Sequence, residues 1–374
     1  MSHLLSKGTF GCVYRPKINC NGQFSNSKVK VTKVQNYDET AEIEINISNI
    51  VKTIENYEYF FSPIQSTCPI SYKKINKNII KDCNILQKHN KKIILMELDF
   101  VDGKNFIETL QDVNPKSGVK ILLDSYSHIL QAISLLLEKN IVHYDLNSSN
   151  IVYNKKRNIP ILVDFGLSIN INTLNQNNYF KSFYGYFPDY YLWSPEIHFL
   201  CYLINREYAP TKETIDDLAR VYVKKCSALT ILSDSFKKMY ESSIVTYLQQ
   251  FLTMTKEESI QTILKYYKTW DNFSLSILYL NIIKTIFFKE KKENVFLLNF
   301  TGLLIRNINA NPEKRLSIKK TKEIYKTLFL KLNLKNKDFG DFLNKFEKNK
   351  IDIIKESKQQ DNTLQKLQSS FARL

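Results

Sequence analysis

Several side chains stand at spacings that suit metal and polyphosphate chemistry. Asp145 and Asn150 lie five residues apart in Ile141-Val142-His143-Tyr144-Asp145-Leu146-Asn147-Ser148-Ser149-Asn150-Ile151-Val152. Further on, Leu162-Val163-Asp164-Phe165-Gly166 places a second carboxylate at the end of an apolar run. A hard cation takes oxygen ligands, and one carboxylate with one amide and phosphate oxygens suits Mg²⁺. Near the N-terminus, Leu5-Ser6-Lys7-Gly8-Thr9-Phe10-Gly11-Cys12-Val13-Tyr14 has small residues at 6, 8 and 11. Small residues let backbone N–H groups approach phosphate oxygens unobstructed.

The elements around these residues change character along the chain. Leu4 to Tyr14, Lys28 to Val34 and Lys92 to Leu98 are expected as strands, with a turn-rich stretch at Asn19 to Ser27. Glu39 to Ile54 carries Ile43, Ile47, Ile50 and Ile54 on one helical face. From Lys120 onward Ile121, Leu122, Tyr126, Ile129, Leu130, Ile133 and Leu137 recur at helical spacing, and beyond about residue 197 the reading is almost all helix. The expected fold class is α+β, with a small strand-rich lobe ahead of a larger helical one. Polar residues 65–91 and the helical stretch 198–268 look inserted, and 335–374 is a charged tail. The expected division is therefore 1–98, 99–334 and 335–374.

Taken together, the motifs resemble those of the protein kinase superfamily, from about Leu5 to Leu330. The glycine-rich stretch resembles the loop over the ATP phosphates, with Ser6 in place of the first glycine. Val29-Lys30-Val31-Thr32-Lys33 resembles the strand whose lysine holds the α and β phosphates, which implies Lys33. Its carboxylate partner is sought among Glu39, Glu42 and Glu44. Glu44 is preferred because Ile47 and Val51 follow at helical spacing, with Glu42 next. Ile93 to Asp99 resembles the strand entering the hinge. Met96 is then implied as gatekeeper, Glu97 and Asp99 as adenine contacts, and Leu5, Val13, Val31 and Val152 as the walls around the ring. Phe10, Gly8 and Gly11 complete the nucleotide set.

The His143 loop resembles the kinase catalytic loop, implying Asp145 as base, Asn150 and Asp164 as Mg²⁺ ligands (Mn²⁺ as an alternative ion), and Asn147 where a lysine usually meets the transferred phosphoryl group. Tyr144 replaces the arginine that pairs with a phosphorylated activation segment, so activity without such phosphorylation is expected. Trp193-Ser194-Pro195-Glu196 resembles the end of that segment, and Asn311 to Ser317 resembles a late element whose arginine pairs with it, implying an Arg315–Glu196 ion pair. Asp271, ahead of Phe273-Ser274-Leu275, is implied as the brace of the catalytic loop, with Asp216 or Asp217 as alternatives. The bilobal kinase fold and Ser/Thr-directed transfer from ATP follow as expectations. The rival is a pseudokinase scaffold that binds without turnover. The long insertions and the His-Tyr-Asp loop also resemble kinases of large DNA viruses. A second Asp-Phe-Gly at 338–340 follows lysines rather than an apolar strand and is read as chance.

Composition limits the alternatives. The 374 residues carry a net charge of +16, but only seven of the 53 basic residues are arginines. AT-rich codon usage explains the lysines more simply than a nucleic-acid surface does, and a basic face would equally attract acidic protein substrates. The six cysteines show no paired spacing, so free thiols in a reducing compartment are expected over a metal site built from Cys12, Cys20, Cys68, Cys83 and His89. Ile277 to Phe288 is interrupted by Asn281 and Lys284 and is not expected to span a bilayer. The expectation is a monomeric, intracellular protein of the host cell, with virion association as a further option and no membrane segment.

Overall fold

A computed structural model of the chain describes residues 3–331, apart from 9, 84, 85, 87–91, 184 and 288–294. The first lobe is built on a five-stranded antiparallel sheet in the order β1-β2-β3-β5-β4. Its strands are β1 (His3–Lys7), β2 (Gly11–Arg15), β3 (Lys30–Asn36), β4 (Ile64–Ile70) and β5 (Ile93–Asp99). Gly11 is required by packing as well as by the loop, since a Cβ there would meet the Val34 carbonyl oxygen at 2.7 Å. Helix α1 (Glu39–Val51) follows β3. Asp38 caps it by accepting from the Ala41 N–H, and Ala41, Glu44, Ile47, Ser48 and Val51 form the buried face at spacings of three and four.

The segment expected as an insertion from residue 65 begins later. Residues 64–70 are the edge strand β4, whose Ile64 and Ile70 pair with Leu98 and Ile93. The polar side chains misled because only Ile64 and Ile70, at the two ends of this edge strand, are buried. After β4 come a short helix α2 (Lys77–Asp82) and Cys83.

The cysteine expectation is corrected here. Cys83 is joined to Cys12 of β2, and Cys20 to Cys68 of β4. Only Cys201 and Cys226 are free, both buried in the second lobe. Chain folding after β4 brings residues far apart in sequence under the same sheet, so the local spacing carried no sign of the pairing. His89 lies outside the described residues.

The second lobe opens with β6 (Gly103–Asn105), α3 (Phe106–Asp112) and the long α4 (Pro115–Glu138). Helix α4 starts at an Asn114 cap with proline in its first turn, and Asn140 just beyond its end takes a left-handed φ of 55°. Four short strands follow: β7 (Ile141–Val142), β8 (Ile151–Asn154), β9 (Ile159–Leu162) and β10 (Ile169–Asn170). Helices then run on as α5 (Tyr179–Ser182), α6 (Pro195–Asn205), α7 (Lys212–Lys225), α8 (Asp234–Gln249), α9 (Lys256–Leu264), α10 (Trp270–Phe287), α11 (Val295–Asn307) and α12 (Ile318–Lys331). The segment 198–268 is no loose appendage: Ile215, Leu218, Tyr222, Ile244, Leu248 and Ile263 join the main core around α10. The tail 335–374, with its second Asp-Phe-Gly, lies outside the described residues.

One buried ion pair anchors the entry to α6. Arg315 donates from Nη1 to Glu196 Oε1 at 2.6 Å and from Nη2 to Oε2 at 2.8 Å, with both side chains sealed from solvent. Its Nε donates to the Asn309 carbonyl at 2.8 Å and its guanidinium lies over the Phe273 ring. Every charge is therefore met, which is the condition for tolerating such a pair in the interior.

Two outcomes follow from this architecture. Thiol titration of the unfolded, unreduced protein should find two reactive thiols, and reductant should lower the melting temperature by roughly 10 °C or more, since loops of 71 and 48 residues lose their cross-links. Six reactive thiols would contradict the pairing. Arg315→Ala should cost about 3–5 kcal/mol by leaving Glu196 buried and unpaired; an unchanged melting temperature would count against it.

Candidate active site

The two lobes meet over a cavity of about 550 Å³. Its upper wall comes from β1, β2 and β3 through Leu5, Ser6, Gly8, Phe10, Gly11, Val13 and Val31, and its floor carries Asn147, Asn150, Val152 and Leu167. Lys33, Glu44, Asp145 and Asp164 all border it. Side chains from residues 5 to 167 are thus brought into one space.

At its centre Lys33 Nζ donates to Glu44 Oε2 at 2.7 Å and to Asp164 Oδ1 at 2.9 Å. Glu39 and Glu42, the other candidates for this partner, are not on the buried face of α1. Burial opposes the ammonium charge, but Asp164 and Glu44 outweigh it and raise the Lys33 pKa. Burial pushes Glu44 up to about 7 against the pull of Lys33. For Asp164, burial works upward but Lys33 and the Gly166 N–H prevail, and its carboxyl is held below the usual range.

The hinge side requires a correction. Antiparallel pairing sets Val31 opposite Leu98 and Lys33 opposite Met96. Leu98, Asp99, Phe100 and Val101 line the cavity, whereas Met96 and Glu97 do not. Met96 is fully buried deeper in the lobe, against Ala41, Ile64 and Ile94. Glu97 points to the opposite face, where its carboxylate takes Lys17 at 2.7 Å and Lys30 at 3.5 Å. The resemblance identified the correct strand but not the position along it, which is set by the β3–β5 register.

The loop from His143 is held from below. Asp271, at the start of α10, accepts from the His143 N–H at 2.7 Å and from the Tyr144 N–H at 2.9 Å. Asp216 and Asp217, the alternatives, lie instead in α7, where Asp217 pairs with Arg220 on the surface. Tyr144 has a left-handed φ of 67° and Asp164 one of 62°. Such conformations cost about 1–3 kcal/mol in non-glycine residues and persist where surroundings impose them. His143 is buried, its Nε2 sits 3.2 Å from the Val163 carbonyl, and burial lowers its pKa to about 4, so it is neutral at pH 7. The Phe165 ring packs between His143 and Phe61.

Asp145 accepts from Asn147 Nδ2 at 2.9 Å and from Asn150 Nδ2 at 2.8 Å. Burial first, then the charge of Asp164, push its pKa up to about 7, while its hydrogen-bond donors act in the other direction. A carboxylate titrating near neutrality suits a general base. Asn150 uses Nδ2 for these bonds, which leaves its amide oxygen as the ligand atom. The Asp164 side chain is 41% exposed and uses Oδ1 for Lys33 and Gly166. Asp164 and Asn150 therefore fit a hard cation through two oxygens. Among the described residues no group of three or more His, Cys, Asp or Glu side chains could hold a metal unaided. A magnesium ion would complete its shell with phosphate and water oxygens. Leu98, Phe100, Val101 and Leu167, which line the cavity, and Tyr190, whose hydroxyl meets Asp145, also belong to the site, and no local pattern in the sequence singles them out.

Among curated proteins, the chain is similar to a probable serine/threonine-protein kinase mkcE of Dictyostelium discoideum, 29% identical over 171 residues, 46% of this chain and 21% of that protein. It is similar to Sperm motility kinase 2A of Mus musculus, 27% identical over 138 residues, 36% of this chain and 26% of that protein. A shorter stretch of 86 residues is 34% identical to a probable ethanolamine kinase A of Dictyostelium discoideum, 22% of this chain and 24% of that protein. The chain thus spans about a quarter of the length of each of these relatives. The family model described as protein tyrosine and serine/threonine kinase matches residues 1–197, which hold the whole cavity, and the chain belongs to that family.

Proposed function

We propose that this protein transfers the γ-phosphoryl group of ATP to hydroxyl groups of proteins, with serine and threonine as acceptors. The observation that carries this reading is the shared cavity in which Lys33 bridges Glu44 and Asp164 beside the Asp145–Asn150 pair. In this reading Lys33 holds the phosphates, Leu98 takes the gatekeeper place first given to Met96, and backbone groups of Asp99 to Val101 meet adenine between Leu5, Val13, Val31 and Val152. Asp164 and Asn150 hold Mg²⁺, which when bound neutralises phosphate charge. Asp145 orients the acceptor hydroxyl and takes its proton. Asn147 donates a neutral hydrogen bond where a cation is usual. The net charge of +16 favours acidic protein substrates.

The same reading includes independence from activation-segment phosphorylation. Tyr144 fills the place of the phosphate-binding arginine and is buried rather than solvated. Its ring stacks on Trp193 at 4.5 Å and meets Phe183 edge-on at 5.8 Å, and Trp193 Nε1 donates to the Tyr144 carbonyl at 2.7 Å. Aromatic packing thus does the ordering that a phosphate–arginine pair would otherwise do. An ion pair from Lys181 to Glu39 at 2.6 Å ties the same segment to α1, though its exposure makes it a minor contribution.

A radiolabelled ATP assay with Mg²⁺ and acidic or basic protein acceptors should show transfer to serine or threonine. Asp145→Ala should cut the rate by roughly 10²-fold or more with nucleotide binding retained. Absence of transfer by the wild type would leave the scaffold reading in its place. Bacterially produced enzyme treated with phosphatase should keep its rate; a loss on treatment would contradict phosphorylation-independent ordering.

A further inference from the structure

Asp145 has a third donor, and it comes from outside its own loop. The Tyr190 hydroxyl donates to Asp145 Oδ1 at 3.3 Å, across 45 residues of sequence. Oδ1 also accepts from Asn147 Nδ2, and Oδ2 accepts from Asn150 Nδ2. Each carboxylate oxygen offers two in-plane lone-pair sites. Asn147 and Tyr190 fill those of Oδ1, while Oδ2 keeps a site after Asn150 is counted.

The hydroxyl is rigidly placed. Tyr190 is 3% exposed, its ring stands edge-on to Trp193 at 5.2 Å, and its carbonyl oxygen lies 3.1 Å from His198 Nε2 in α6. Trp193 in turn stacks on Tyr144, the residue immediately before Asp145. The base is therefore gripped on one side by its own loop and on the other by the segment leading to Ser194-Pro195-Glu196. A displaced segment would withdraw Tyr190 from the carboxylate.

We propose that Tyr190 is a positioning residue for phosphoryl transfer: together with Asn147 it occupies Asp145 Oδ1, fixing the carboxylate so that Oδ2 receives the proton of the acceptor hydroxyl. The inference rests on the kinase reading above. In the step itself, the acceptor oxygen forms its bond to the γ-phosphorus as the bond from that phosphorus to the β–γ bridging oxygen breaks. The acceptor proton passes to Oδ2, and ADP departs with the bridging-bond electrons.

Tyr190→Phe removes the hydroxyl and keeps the ring against Trp193. It should lower kcat about five- to tenfold while the KM values for ATP and protein acceptor stay within about twofold and the melting temperature is unchanged. Because Asn147 and Tyr190 hold the same oxygen, the Asn147→Ala/Tyr190→Phe double variant should lose less than the product of the two single losses. An active wild type with an equally active Tyr190→Phe variant overturns the inference alone. So does a defect confined to KM for ATP, or losses in the double variant that simply multiply. A wild type that transfers no phosphate overturns the kinase reading and this inference together.

Discussion

The ammonium of Lys33, held between one carboxylate from each lobe, is the contact on which the rest of the structure depends. Glu44 reaches it from α1 and Asp164 from the second lobe, at 2.7 and 2.9 Å. Two carboxylates, Glu44 buried and Asp164 half-exposed, share one cation, so the cavity is short of positive charge. Burial and the neighbouring Asp164 push Glu44 upward, and Asp145 is pushed upward by the same two causes. A bound cation would offset this imbalance, and Asp164 and Asn150 still offer oxygens that could hold one. The Lys33 bridge also fixes how α1 lies relative to the Asp164 segment, so lobe closure and electrostatics are one constraint.

That constraint is met at the expense of local backbone comfort, and the second lobe supplies the compensation. Tyr144 and Asp164 both take left-handed conformations unusual for their side chains. Asp271 accepts two backbone N–H groups beside the first of them, and it sits on α10, whose residues are almost all in the core. Arg315 and Glu196 fix the start of α6, and from there Trp193 and Tyr190 reach back to Tyr144 and Asp145. A hydrophobic core thus holds a frame of buried polar contacts, and the frame holds the side chains of the cavity.

What was legible in the sequence was what short-range geometry fixes. Asp145 and Asn150 belong to one loop, and Asp164 ends the strand pair that follows it, so their spacing carried the site directly. Glu44 was separable from Glu39 and Glu42 because helical periodicity distinguishes a buried face from an exposed one. Met96 and Glu97 were misplaced because a motif resemblance does not carry strand register, and only pairing with β3 tells Leu98 from Met96. The Cys12–Cys83 and Cys20–Cys68 pairs depend on how the chain turns back after β4, which no local pattern encodes. Tyr190 lies in a stretch dense with aromatic residues, where one hydroxyl near a carboxylate cannot be picked out without coordinates.

The most direct test of the central claim is a calorimetric titration with a non-hydrolysable ATP analogue, with and without Mg²⁺, on the wild type and on Lys33→Met. The account requires saturable binding at one site that strengthens with the metal and weakens at least about tenfold when the ammonium is removed. A flat titration in the presence of Mg²⁺, or equal affinity in the two proteins, would contradict it.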